Sequence, residues 1–169
     1  MNLSLGLKYL GLLLLGLMAG SSFALVVGVG PTLENLSILA YLEFHRNWNH
    51  SFSMMSPIVY ALALLTLVAN MYLSRGRWKS MEYLLMVFAV ICVLNELLMT
   101  YMGNLPLNQL ITSWDLMSPP PDWMDIQSQW LWFMYIRCAL LVAGFSLLLA
   151  SIFMMRPAPS SQPDAFAAA

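Results

Sequence analysis

Four apolar runs, each about twenty residues long, dominate this chain and leave it few folds to choose from. They cover residues 10–29, 57–73, 81–101 and 130–155, and a helix of about that length crosses a ~30 Å hydrocarbon layer. Across 169 residues, 60% of side chains are hydrophobic and only 9% are charged. Soluble domains carry roughly a quarter charged residues, so the chain lacks the surface that water demands and lipid is its expected solvent. The expected fold class is therefore all-α. It is a four-transmembrane-helix bundle forming a single membrane domain over residues 1–156, followed by a low-complexity, disordered tail over 157–169.

The N-terminal run invites a signal-peptide reading, since Lys8 precedes it and GSSFA resembles a cleavage site. The apolar character continues through LVVGVG to Pro31, longer than such peptides need, and a retained helix is expected. Short-loop charge sets the orientation. The second connection, SRGRWKS, holds Arg75, Arg77 and Lys79 with no acid, while the third holds Asp115, Asp122 and Asp125 with no base. Both termini and the short connection are thus expected in the cytoplasm. Two longer loops then face outward, with Arg46 a minor exception. An integral protein of the bacterial inner (plasma) membrane fits this pattern.

Several function classes fall away. A net charge of −1 with no basic cluster argues against nucleic acid. The two cysteines, Cys92 and Cys138, form no C-x-x-C, which disfavours a quinone-linked disulfide oxidoreductase. No inverted repeat or pair of interrupted helices suggests a transporter. His45 and His50 are five residues apart, off a common helix face, and no E-x-x-H pair is present. No metal site and no cofactor is therefore expected. A histidine as proton acceptor is chemically easier.

Within the first run, Gly16, Gly20, Ala24 and Gly28 recur every four residues. Small residues at that spacing let another helix approach closely, or else present a smooth wall to a flat apolar ligand. Pro31 is expected to end this helix.

Ionisable groups inside a span are costly and are functional candidates by default. Two stand out. Glu96 lies five residues inside Tyr101, or about 8 Å, and Arg137 lies seven residues inside Trp130, or about 10 Å. Their similar depth allows them to pair, either as a register-fixing ion pair or as part of a site; snorkelling of Arg137 to the surface is the competing reading. Glu96, Thr100, Asn104 and Asn108 are spaced by four, giving one polar helix wall if the helix continues that far. Pro106, inside GNLPLNQL, is expected to interrupt its ladder and free carbonyls. Asparagine amides can satisfy these, so the motif reads as a capped helix end or as a binding wall. The loop from about residue 102 to 129 is unusually long. Trp130 and Trp132 read as interfacial anchors, and Trp114 and Trp123 as further anchors or as a lid.

Three segments together carry a family likeness: GLMAGSSFALVVGVGPTL in the first run, NLPLNQL after the third, and WLWFMYIR opening the fourth. In order and placement they resemble the anthrone-oxygenase-like family of small four-helix membrane proteins, over about residues 10–155. The resemblance implies oxidation of polycyclic anthrones to anthraquinones with O2 and no organic cofactor. It also implies that Gly20, Phe23 and Pro31 match the first motif, Asn104, Pro106, Leu107 and Asn108 the second, and Arg137 the third. Such chemistry requires an apolar slot, a base and a group to stabilise an oxyanion. Candidate catalytic residues are then Asn108 and Arg137 for the oxyanion, with His45, His50 or Glu96 as base. Gly20, Phe23, Tyr101, Asn104 and Trp130 are candidates for substrate binding. The expected partners are the lipid bilayer and a lipophilic small molecule. The alternative reading is a non-catalytic subunit, or a lipid- or quinone-binding partner, of a larger membrane complex.

Overall fold

The computed structural model describes residues 3–154, apart from the side chains of residues 52–55, and all regular structure in that range is helical. Four long helices run back and forth: α1 (Leu3–Leu33), α2 (Ile38–Ser74), α3 (Met81–Ser113) and α4 (Trp123–Phe153). Four segments, Leu3–Leu33, Ser56–Arg77, Met81–Ser113 and Trp123–Phe153, are long and apolar enough to cross a membrane. The all-α four-helix architecture is as expected. The proposed tail over residues 157–169, and Met155 at the end of the fourth run, lie outside the described residues.

The helix limits differ from the hydropathy limits in an instructive way. The first long loop is largely absent: residues 38–56 extend α2 upstream of its apolar run. At 37 residues, α2 is about 55 Å long. Ser37 starts it, its side chain accepting a hydrogen bond from the Ala40 N–H at 3.4 Å. The second long loop also shrinks, to residues 114–122, because α3 runs on to Ser113 and α4 begins at Trp123. Hydropathy reports the lipid-facing portion of a helix, whereas backbone hydrogen bonding carries it beyond the membrane wherever neighbours can pack against it.

Neither Pro31 nor Pro106 ends its helix. A proline removes one ladder hydrogen bond and crowds the carbonyl four residues back. Just before each, the chain widens into a π turn, over Leu25–Val29 in α1 and Thr100–Asn104 in α3. Gly30 N–H donates to Leu25 O and Leu105 N–H to Thr100 O, five residues back in both cases. The extra residue per turn makes room for the ring, and such turns recur at functional sites.

Helix α1 packs against α2 and α4, and α3 against α4, while α2 and α3 touch more sparsely. The glycine stripe contributes only in part. A Cβ on Gly16 would meet the Phe145 ring at 3.0 Å, but a Cβ on Gly20 or Gly28 would meet no described atom of another helix within 4 Å. Each step of four residues overshoots a full turn by about 40°, so the stripe winds away from α4. Tight approach occurs instead at Gly103, whose missing side chain admits the Phe133 ring. It occurs also at Gly144, where a Cβ would meet Cys92 Cβ at 3.3 Å.

Two apolar clusters fill the bundle. One includes Leu15, Ala63, Leu67, Ala89, Val93 and Leu148. The other, at the tryptophan-rich end, includes Leu33, Tyr41, Leu42, Ile111, Trp114 and Trp130. At the opposite, basic end Lys8 is not a surface residue: it is fully buried and paired with Glu82, which Arg77 also grips at 2.7 Å. A second polar layer separates the two clusters, and there the candidate residues meet.

Candidate functional site

The layer is built by phase. Glu96, Thr100 and Asn104 share one wall of α3, Arg137 faces them from α4, and Tyr60 reaches in from α2. Glu96 is fully buried, and its Oε1 accepts from Arg137 Nε at 2.7 Å, Tyr60 Oη at 2.6 Å and Thr100 Oγ1 at 3.2 Å. Arg137 also donates from its terminal nitrogens to Asn104 Oδ1 at 3.1 Å and to Tyr60 Oη at 3.5 Å. A guanidinium carries five N–H donors; these three bonds leave two for a ligand. The side chain of Arg137 is 25% exposed, so it pairs with Glu96 without being sealed in, and it does not snorkel away.

Beside this network lies a cavity of about 540 Å³ reached by all four helices, within the range typical of small-molecule sites. Leu14, Met18 and Leu25 of α1 give it an apolar wall, while Asn104, Asn108 and Arg137 give it a polar one. His45 lines it too. The extension of α2 brings His45 inward at 2% exposure, and its Nε2 has no hydrogen-bond partner among the described residues. Burial pulls the imidazole down to about 4, partly opposed by the Asn108 side chain. At neutral pH the ring is neutral, and its Nε2 lies buried on the cavity wall.

Trp130 is no interfacial anchor. It is 4% exposed, its indole N–H donates to Asn108 Oδ1 at 2.7 Å, and its carbonyl accepts from Asn104 Nδ2 at 3.4 Å. Its ring meets His45 edge-on at 5.2 Å. Asn108 in turn donates to Asn49 Oδ1 at 3.3 Å. The amide of Asn108 is thus oriented from both ends, and Trp130 ties both asparagines to His45. Trp132, at 57% exposure, keeps the outward position expected of an anchor. Trp114 is buried in the cluster that closes this end, and Trp123 packs on Tyr41 at 6.2 Å.

Of the ten residues singled out in the sequence, six line the cavity: His45, Tyr101, Asn104, Asn108, Trp130 and Arg137. Glu96 stands behind Arg137 and does not reach the wall, so its position suits orienting Arg137 better than meeting a substrate. His50 is exposed and lies away from the cavity, because five residues along a helix turn it off the face of His45. Gly20 and Phe23 point outward; Phe23 is 56% exposed. The sequence reading passed over Tyr60, Trp48 and Asn49. Tyr60 was findable, since it lies at about the depth of Glu96 and Arg137. Trp48 and Asn49 were hidden by reading the start of α2 as a loop. No group of three or more His, Cys, Asp or Glu side chains converges among the described residues.

Comparison with curated proteins and with solved structures returns no match. A family model described as anthrone oxygenase matches residues 48–147. The match takes in Tyr60, Glu96, Asn104, Asn108, Trp130 and Arg137, while His45 and the first-helix motif lie upstream of it. With more than half of its length covered, the chain belongs to the anthrone oxygenase family.

Proposed function

We propose that the protein oxidises a flat, lipophilic anthrone-type substrate with O2, in the cavity between His45 and the Glu96–Arg137 network. The observation that carries this reading is the unpartnered, buried Nε2 of His45, on the same cavity wall system as the spare N–H groups of Arg137. An anthrone methylene is acidic because its carbanion is delocalised onto the ring carbonyl oxygen. His45 Nε2 takes that proton, and the oxyanion settles against Arg137. Its charge offsets the low basicity of the buried imidazole, since the imidazolium forms beside an anion.

The electron-rich carbon then gives its electron pair to O2 in single-electron steps and forms a C–O bond. The peroxide takes the proton back from His45. Loss of the second methylene proton with O–O cleavage gives the quinone carbonyl, and hydroxide leaves with that proton as water. In sum, anthrone plus O2 gives anthraquinone plus water. Every electron comes from the substrate, and the protein supplies position, base and positive charge. Asn108 and Asn104, held by Trp130, orient the polar wall. Glu96 and Tyr60 hold Arg137.

Turnover of an anthrone by purified protein, with one O2 consumed per quinone formed, tests this directly. His45→Gln should lower kcat by about 100-fold or more while leaving thermal melting near wild type. Absence of turnover with every anthrone tried, by protein that melts cooperatively, would overturn the reading. A stoichiometric partner retained in mild detergent would then favour a non-catalytic subunit. We further propose a bacterial plasma membrane as its location, tryptophan-rich end outward, from the charges of Arg75, Arg77 and Lys79.

A further inference from the structure

We propose that the working entrance of this cavity opens sideways into lipid, on the flanks of Pro57, so that its ligand is exchanged with the bilayer and not with water. The proposal deepens the functional reading and rests on it for the identity of the ligand, although the route itself follows from packing alone. Five residues both line the cavity and are exposed on the outside of the bundle: Leu17 and Ser21 of α1, Pro57 of α2, and Tyr101 and Leu105 of α3. Leu17 is 62% exposed and Tyr101 is 65% exposed, far more than a side chain facing only an internal void. All five fall within segments long and apolar enough to cross a membrane. Helix α2 sits between α1 and α3 and packs sparsely on α3, which leaves a seam beside Pro57.

Among the described residues, both ends of the bundle are packed. Beyond His45 and Trp130, the buried residues Leu33, Tyr41, Ile111 and Trp114 form a packed plug, none more than 9% exposed. Two cross-links sew that plug together: Gln127 Nε2 donates to Leu33 O at 2.7 Å, and Arg46 donates to the carbonyls of Thr112 and Trp114 at 3.2 and 2.5 Å. Those bonds satisfy carbonyls at the ends of α1 and α3 that have no partner within their own helices. Toward the basic end, Leu15, Ala63, Leu67 and Val93 are packed solid, none more than 1% exposed. A planar polycyclic ligand dissolves in acyl chains, and an apolar seam at their depth receives it without passage through water.

The route is testable without any turnover. In full-length protein reconstituted into bilayers, Cys92→Ala and Cys138→Ala remove the native thiols and Ser22→Cys places one on the cavity wall. Leu25→Cys serves as a second position should the first fold poorly. A lipid-soluble pyrenyl maleimide should label the new thiol at least about tenfold faster than a membrane-impermeant, charged methanethiosulfonate, because charge is excluded from the hydrocarbon layer. Adding Leu17→Trp should slow the maleimide by about tenfold by narrowing the seam. Comparable rates for the two reagents would reveal an aqueous mouth and overturn the proposal. So would failure of both reagents in protein that melts like wild type. Protection of the thiol by an added anthrone reports separately on the ligand: fast labelling without protection leaves the route standing and counts against the oxygenase reading.

Discussion

Among the described residues, two ion pairs have a buried carboxylate between distant helices, Arg137–Glu96 and Lys8–Glu82, and the contrast between them separates function from architecture. Both join helices far apart in sequence, and in both the carboxylate is buried, with side-chain exposures of 0% for Glu96 and 4% for Glu82. The Lys8 side chain is fully buried, and Glu82 is shared with the half-exposed Arg77, so its two oxygens are both engaged. Arg137 instead keeps a quarter of its side chain exposed and faces a cavity, with N–H groups to spare. Glu96 Oε2 has no partner among the described residues. A fully buried pair that borders no part of the cavity serves to lock helices together, whereas a pair whose guanidinium lines the cavity can also receive a ligand.

Replacing Arg137 is the severest way to break this contrast. Arg137→Leu strands Glu96 as a buried charge, which should lower stability by about 3–5 kcal/mol, and it should abolish turnover as well. Denaturation and O2-uptake assays together measure both losses. Lys8→Leu should destabilise by a similar amount, about 3–5 kcal/mol, yet leave turnover per folded molecule within about twofold, since Lys8 does not line the cavity. Pairing it with Glu82→Leu should restore most of the stability. If turnover by the Lys8 variant fell as far as that of the Arg137 variant, the two pairs would not differ in the way described.

The pH dependence sharpens the cavity side. The His45 imidazole is held at about 4 when folded, against 6.5 when unfolded, so the unfolded chain binds the extra proton as pH falls between those values. Stability is therefore full above about pH 6.5 and declines down to about pH 4, by about 3 kcal/mol in total. Melting curves across that range should show the slope in wild type and a flatter profile in His45→Phe. The smallest effect belongs to Tyr60→Phe. It removes one donor from Glu96 and should destabilise by about 1 kcal/mol, with a loss of turnover well below that of Arg137→Leu because Arg137 keeps its bond to Glu96.

Within the cavity region, legibility followed how local each feature is. The depth of Glu96 and Arg137 could be counted from the ends of their runs, and counting put them side by side. The same count would have found Tyr60, and the opposite charges of Lys8 and Glu82 at neighbouring helix ends were equally open to it. His45 was not separable from His50 in this way. Choosing between them requires knowing that α2 begins at Ile38 and which face it turns inward, and residues 38–56 carry no apolar run of membrane length to announce a long helix. The glycine stripe misled for a related reason, since spacing by four is a face only over a turn or two.

The sequence by itself determined four membrane-length helices, a polar wall on the third and a family likeness later matched over residues 48–147. It could do so because lipid demands long apolar runs and makes every buried charge conspicuous. Tertiary structure alone decided that the helices continue through Pro31 and Pro106 by π turns, that Trp130 faces inward, and that His45 and Arg137 share one cavity. Those outcomes depend on helix phase and on which neighbour fills each gap. Residues such as His45, Asn108 and Trp130 settle them jointly, across sequence separations that no local pattern spans.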